Sequence, residues 1–529
     1  MAELCPFEVI PTKITSSPNR PTPVSLNYTN QDFWSLKNRL VQYCRENFDQ
    51  QFNDFIESSL AIMLIENWAF IGDTLSFKTD QVANEVFIDT VTELDSAFRL
   101  AKLVGYQPTP PIAGKSLWAA KISTPQDINL IIPTPLEIDL VNNNIPLTIE
   151  LFPADQYERP LLDQPIIIQA GNLQNTNIVG LEGQTYTQSF IGTGEINQVV
   201  VLEFAPALLG SIRIYVDGQQ WRQVQFFTES APLQEYRIEY NSQYQVFVYF
   251  GNNRAGLVPP SGAAITAIYR VGGGTIGNII SNFVNTDILI PLEGRAYSVP
   301  VNFGNYTRGK YGYDGDTIED IRRNLPAWTN VQNRAVTGSD YKNLVDIFTT
   351  AYNGKTGKGL ATLRHSGCSA NLIVLYVLVS EGLDGLASPS SQFKAELQEY
   401  VDAKKMLTDN VSIQDGTVLY TQINIDVFMT PQYQPFEEEV TAAILRNLAV
   451  FFNVKNWDYG QALRNIDVLK ALANISQPYK YDIQFVVEPE NLSSPLLPTN
   501  QNLTNPVEVV PRFFEIIRPS NIVLNYIYE

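Results

Sequence analysis

One histidine, three cysteines and a low share of charge set the first limits on this 529-residue chain. The single histidine, His365, nearly excludes zinc centres built on several imidazoles and leaves one candidate for a histidine general base. Cys5, Cys44 and Cys368 are odd in number and far apart, so they supply neither a disulfide framework nor a Cys-x-x-Cys site, and a reducing cytoplasm is expected. The longest uninterrupted apolar run, 372–379, is eight residues, against about 18 for a membrane helix. The opening residues, 1–6, show no basic region and no apolar core of a signal peptide. A soluble chain without membrane insertion is therefore expected. Lys and Arg number 36 against 55 Asp and Glu, a formal net charge of −19. That balance argues against a nucleic-acid partner or an anionic membrane surface, both of which need clustered cations. Charged residues make up 17 % of the chain, below the usual ~25 %, while aromatics reach 11 %. Aromatic-rich cores explain this, and so do extensive interfaces, which lose charge and gain Tyr, Phe and Trp.

What is present falls into an α+β multidomain order. Residues 1–30 carry Pro6, Pro11, Pro18, Pro21 and Pro23 and read as an extended arm. Residues 31–112 read as helical. Asp32 is placed to cap a helix striped by Phe33, Leu36, Leu40 and Tyr43. The next helix, 57–77, is apolar almost all round, with Leu60, Leu64, Trp68, Ile71 and Leu75 among its large side chains. Such a helix must be surrounded, and few neighbouring helices are available within the chain. Helices from other chains are the expected cover. A third helix, 93–104, suggests a capping box at Thr92 and Asp95 and ends at Gly105.

Residues 113–310 read as a β-rich domain, with a clear hairpin signal at Asp217-Gly218. Residues 311–488 alternate helices and strands as a mixed α+β domain, whose first helix is expected to stop at Pro326. The tail, 489–529, reads as a second arm. It carries Phe513, Phe514 and Ile516, side chains rarely left in water. Removing this arm is expected to leave the rest of the chain soluble.

No motif for chemistry survives inspection. Residues 272–277 fit the letters of a dinucleotide-binding Gly-x-Gly-x-x-Gly, but β-like residues follow where a helix should start. Gly114-Lys115-Ser116 and Gly354-Lys355-Thr356 lack the upstream glycine of a phosphate-binding loop. Asp314-Gly315-Asp316 begins like a calcium loop, then fails at Ile318 and Glu319. His365 and Cys368 match no protease spacing and suggest a mobile surface loop. Asp73, Asp80, Glu85, Asp89, Glu93 and Asp95 read as the solvated face of the helical region. No catalytic, cofactor or metal site is assigned, and no enzyme activity is expected.

Three ordered blocks do carry a resemblance. Within 56–111 stand Glu66-x-Trp68, Gly72-Asp73, Asn84-Glu85-x-Phe87-x-Asp89-Thr90 and Val104-Gly105-Tyr106-Gln107-Pro108. The second block runs from Phe250-Gly251-Asn252-Asn253 to Gly277-Asn278, and the third from Tyr313-Asp314-Gly315-Asp316 to Asp340-Tyr341. Together they span about 290 residues and are similar to the baseplate J-like family, the large wedge proteins of contractile phage tails and related injection systems. Residues 113–200 and the tail after 488 lie outside the resemblance.

The resemblance implies a structural baseplate wedge protein. In such proteins the N-terminal helices join those of a second copy and of other baseplate wedge proteins in a bundle. The α+β domain contacts neighbouring wedges and closes a six-fold ring around the tail tube, with sheath-initiating and hub proteins as further contacts. Rearrangement of that ring triggers sheath contraction. The location implied is the virion tail baseplate, assembled in the host cytoplasm, with Leu60, Leu64, Trp68, Ile71, Leu75, Phe513, Phe514 and Ile516 as partner-facing residues. Three alternatives stand beside it: a wedge protein of a non-phage injection system, a receptor- or glycan-binding tail protein, and a tail-borne glycan hydrolase. The last needs two converging carboxylates.

Overall fold

A computed structural model describes residues 32–48, 56, 59–142, 144–228, 231–295, 297–332, 334–366, 370–381, 385–487 and 508–529. The expected N-terminal arm, Cys5 and Cys368 lie outside the described residues, as does the side chain of His365.

Helix α1 (Phe33–Asn47) starts where Asp32 accepts the amide of Ser35 at 2.7 Å, the cap expected from the sequence. Helix α2 (Leu60–Asn84) runs further than its apolar stretch suggests. The two pack side by side. Lys37 pairs with Glu66 at 2.7 Å, and Gly72 lets α1 approach, since a Cβ there would meet Leu36 at 2.9 Å. Helix α3 (Leu94–Leu103) is capped differently from expectation. Thr92 turns its hydroxyl and amide to Glu85, at 2.6 and 2.9 Å, so Glu93 takes the N-cap position and no capping box forms. The helix closes as expected: Gly105 adopts a φ of 73°, while the Tyr106 and Gly105 amides reach back to the Ala101 and Lys102 carbonyls.

The β-rich region has two lobes. The first is a six-stranded antiparallel sheet in the order 285–291, 298–305, 115–122, 174–182, 145–153, 136–142. Its core holds Trp118, Ile149, Leu151 and Phe303, and the pair Leu130–Ile132 and Ile166–Ile168 packs into the same core. The second lobe occupies the chain between strands 174–182 and 285–291 of the first. Two four-stranded sheets share its core, which includes Ile214, Trp221, Tyr236, Val248 and Tyr269. Its Asp217-Gly218 turn has φ values of 50° and 78°, the left-handed pair a tight hairpin requires.

Buried chemistry joins the lobes. Arg270 binds the Glu150 carboxylate at 2.9 Å and donates to the carbonyls of Leu181, Glu182 and Gly183. The glycine-rich turn at 272–277 holds an anion, but it is the chain's own: Gly273 and Gly274 donate their amides to Glu182 at 2.6 and 3.1 Å. Burial raises the Glu182 carboxyl above its usual range, and those two amides oppose it.

The C-terminal region has two cores rather than one. In the first, α4 (Ile318–Val331), α5 (Gly338–Asp346) and α6 (Ser391–Asp402) accompany a sheet built on Thr356–Ser366, Ala370–Glu381, Gly385–Ala387 and Asp409–Asp415. Both α4 and α5 open with a full capping box, Thr317 with Asp320 and Thr337 with Asp340. Pro326 does not end α4. It removes one hydrogen bond, a cost of about 3 kcal/mol, and burial of Leu325 and Val331 on either side holds the helix through it.

The second core places α7 (Glu437–Phe451) and α8 (Asn465–Leu472) with strand Thr417–Met429. That strand pairs antiparallel with Lys480–Val487 and parallel with Glu515–Tyr528. The end of the chain is therefore a strand of this sheet over 515–528, not a free arm. Its Ile516 and Ile517 fill the core.

Candidate interaction surface

Helix α2 buries little of itself. Ile62 and Ala69 face the chain, whereas Leu60, Leu64, Trp68, Ile71 and Leu75 are 69, 51, 68, 47 and 60 % exposed. Their spacing of three or four residues places all five on one stripe. Met63, Phe70, Phe77 and Val82 extend the exposed apolar surface, and Val86 and Phe87 continue it past the helix end. Trp34 and Tyr43 on α1 are exposed as well. At 25 residues, α2 is about 37 Å long. By length and composition it could cross a membrane, a possibility that counting uninterrupted apolar runs passes over.

The tail residues behave otherwise. Ile516 is fully buried in the second C-terminal core, so it presents nothing to a partner. Phe514 stacks on Tyr376 and Phe513 meets the same ring edge-on, both at 5.6 Å between centroids. Phe513 keeps a partly exposed face. These rings anchor the last strand to the sheet of the first core. The structure thus brings the five α2 residues together and leaves Phe513, Phe514 and Ile516 in a different element.

The α2 surface is fixed to the rest of the chain by the segment that follows it. Asn84 accepts the Thr90 hydroxyl on its carbonyl at 2.6 Å, closing the turn between α2 and α3. Arg322 of α4 then donates to the carbonyls of Ile88 and Val91, at 3.0 and 2.8 Å. A buried polar junction lies beneath. Asp316 accepts the hydroxyls of Tyr106 and Tyr313 and the amide of Thr109, at 2.8, 2.8 and 2.9 Å, and pairs with Lys355 at 2.6 Å. Tyr244 of the second β lobe donates to the Asp316 carbonyl at 2.8 Å. Asp320, one turn on, meets Lys455 of the second C-terminal core at 2.7 Å and Arg323 at 2.9 Å. Burial opposes ionisation of Asp320, but Lys455, Thr317 and Lys355 outweigh it and hold the carboxyl well below the usual range. Burial drives the Tyr313 hydroxyl far above its ordinary value, with the charges of Asp316 and Asp320 adding to it.

Sequence reasoning missed this junction. Asp314-Gly315-Asp316 resembles only the start of a calcium loop, and nothing local marks Asp316 as the acceptor for residues some 200 positions earlier. Among the described residues no group of three or more His, Cys, Asp or Glu side chains could hold a metal ion.

A family model described as "Bacteriophage baseplate protein, N-terminal domain" matches residues 34–103. That span takes in nearly all of α1 and the whole of α2 and α3. No curated protein matches the chain. Among solved structures, the chain is similar to one titled "Cryo-EM structure of the anti-feeding prophage (AFP) baseplate, 6-fold symmetrised". The identity is 9 %, the alignment covers 91 % of this chain and 90 % of that one, and the TM-score is 0.33.

Proposed function

We propose that this chain is a structural wedge protein in the baseplate of a contractile phage tail, and that α2 is where it joins other chains. The carrying observation is the stripe Leu60, Leu64, Trp68, Ile71 and Leu75, exposed on a helix inside the segment that matches a baseplate N-terminal domain. An apolar surface of this length on a soluble chain marks an interaction site. The cover proposed is a helical bundle with a second copy and with other wedge proteins. Lipid is a poorer cover, because Glu66, Asp73, Lys78 and Asp80 punctuate α2 and charged side chains are costly at membrane depth.

The role is mechanical rather than catalytic. The α+β region would meet neighbouring wedges and close a six-fold ring around the tail tube, with sheath-initiating and hub proteins as further partners. Assembly would take place in the host cytoplasm, and rearrangement of the ring would release the sheath. The junction at Asp316 supports a part of this kind. It ties the α2–α3 segment and the C-terminal region through buried, charge-assisted bonds to the Asp316 carboxylate, and the second β lobe through a buried hydrogen bond to the Asp316 carbonyl, so that load on one is transmitted to the others.

Co-expression with the neighbouring tail genes tests the reading. Recovery of the tagged chain with wedge, sheath or tube proteins, lost on Trp68→Asp, is the expected result. Recovery as a lone monomer, or sedimentation with membranes, would overturn it.

A further inference from the structure

Lys115 is the least solvated lysine of the β-rich region, at 5 % exposure in the first strand of the six-stranded sheet. Its ammonium nitrogen does not end in a close ion pair. Glu158 is 3.9 Å away and largely exposed. The near partner is an amide: Lys115 Nζ lies 3.2 Å from Asn353 Oδ1. Asn353 is itself 2 % exposed. It sits in a tight turn, where its backbone amide donates to Thr350 Oγ1 at 2.9 Å and Thr350 bonds the Gly354 carbonyl. The other end of the carboxamide is engaged too. Asn353 Nδ2 donates to Glu396 Oε1 of α6 at 3.4 Å, and Gln392 orients that carboxylate at 2.7 Å.

A buried lysine amine, a buried asparagine carboxamide and a half-buried carboxylate on the departing nitrogen are the reactants and proton carrier of an amide exchange. We propose that Lys115 and Asn353 condense into an intramolecular isopeptide bond, with Glu396 carrying the proton. The lysine first loses a proton to solvent. Its Nζ lone pair attacks Asn353 Cγ, forming the Nζ–Cγ bond. Glu396 takes a proton from the nitrogen that has become cationic and passes it to Nδ2. The Cγ–Nδ2 bond then breaks and ammonia departs. In sum, an ammonium and a primary carboxamide give a secondary amide and an ammonium ion, so charge and atoms balance without oxidant or cofactor.

Burial favours the first step, because it pulls Lys115 below its ordinary pKa, with Glu158, Glu396 and Asp155 pulling the other way. Holding Lys115 in a sheet strand and Asn353 in a hydrogen-bonded, buried turn lowers the entropic barrier to the second. The product links residues 238 positions apart, from the first β lobe to the turn that enters the sheet of the first C-terminal core. It is a covalent brace across the region that the Asp316 junction holds non-covalently, and it does not depend on the baseplate reading.

Intact mass of the purified full-length chain under denaturing conditions tests the proposal. The expected mass is lower than the sequence mass by one ammonia. Trypsin should then fail to cut after Lys115 and release one branched peptide containing Lys115 and Asn353. Lys115→Arg and Asn353→Ala should each restore a linear digest, and Glu396→Gln should leave both reactants unjoined. A wild-type chain at its full sequence mass overturns the proposal. So does loss of ammonia without a branched peptide, since cyclisation of Asn353 onto the Gly354 amide expels ammonia too and survives Lys115→Arg. A branched peptide undiminished in Glu396→Gln removes Glu396 from the chemistry.

Discussion

Tyr106, just past the end of α3, donates its hydroxyl to the Asp316 carboxylate at 2.8 Å, across 210 positions of sequence. That bond lies where the helical segment, the second β lobe and the C-terminal region meet. Its acceptor also neutralises Lys355. Asp316→Asn keeps the shape but strands a mostly buried lysine charge. Breaking a buried pair this way costs about 3–5 kcal/mol. Urea unfolding should show a lowered midpoint, and hydrogen exchange should rise in α3 and around Thr109 before the sheets. An unchanged midpoint would mean that Lys355 finds another partner.

Acid should loosen the same region through Asp320. Its carboxyl is held below the usual range in the folded chain, so the folded state binds a proton less readily than the unfolded one. The stabilisation is fully present above the ordinary carboxyl value of about 3.9 and fades as pH falls below it towards the folded value. Asp320→Asn should lower stability near neutral pH and flatten that part of the acid limb. Unfolding curves of both chains between pH 2 and 7 (an interval of about this width suffices) would show parallel acid limbs if Lys455 and Thr317 contributed nothing.

The last strand is structural. Ile516 and Ile517 sit in the second C-terminal core, and truncating such a side chain to alanine costs about 2–5 kcal/mol. Ile516→Ala should therefore destabilise the C-terminal region selectively, and deleting 508–529 should unfold its second core. Limited proteolysis of the shortened chain, read for cuts within 417–487, checks this. A chain that stays resistant would restore the reading of a dispensable arm.

Local signals carried much of this architecture. Asp32 caps the helix it was expected to cap, and the alternation of Ile423, Ile425 and Val427 marks a strand that the structure bounds at Thr417–Met429. Signals failed where a distant partner decided the outcome. Thr92 is drawn to Glu85 instead of capping α3. Pro326 is carried within α4 by buried neighbours, and the apolar tail is used internally because Thr417–Met429 offers it an edge. The apolar character of α2 was legible in its sequence pattern, and among the described residues little covers its stripe. The Asp316 junction and the contact of Lys115 with Asn353 were not legible, because both depend on which distant segments the sheets bring together.

Trp68, 68 % exposed at the middle of the α2 stripe, is the most direct point of attack on the central claim. Trp68→Asp replaces an aromatic with a charge where nothing among the described residues covers it, so folding and unfolding midpoints should match the parent. The decisive measurement is affinity recovery of the tagged parent and Trp68→Asp chains from cells expressing the surrounding tail genes, read by mass spectrometry. The account predicts that the parent returns with wedge, tube or sheath proteins and that the variant returns folded and alone. Equal recovery of those partners by both chains would contradict it.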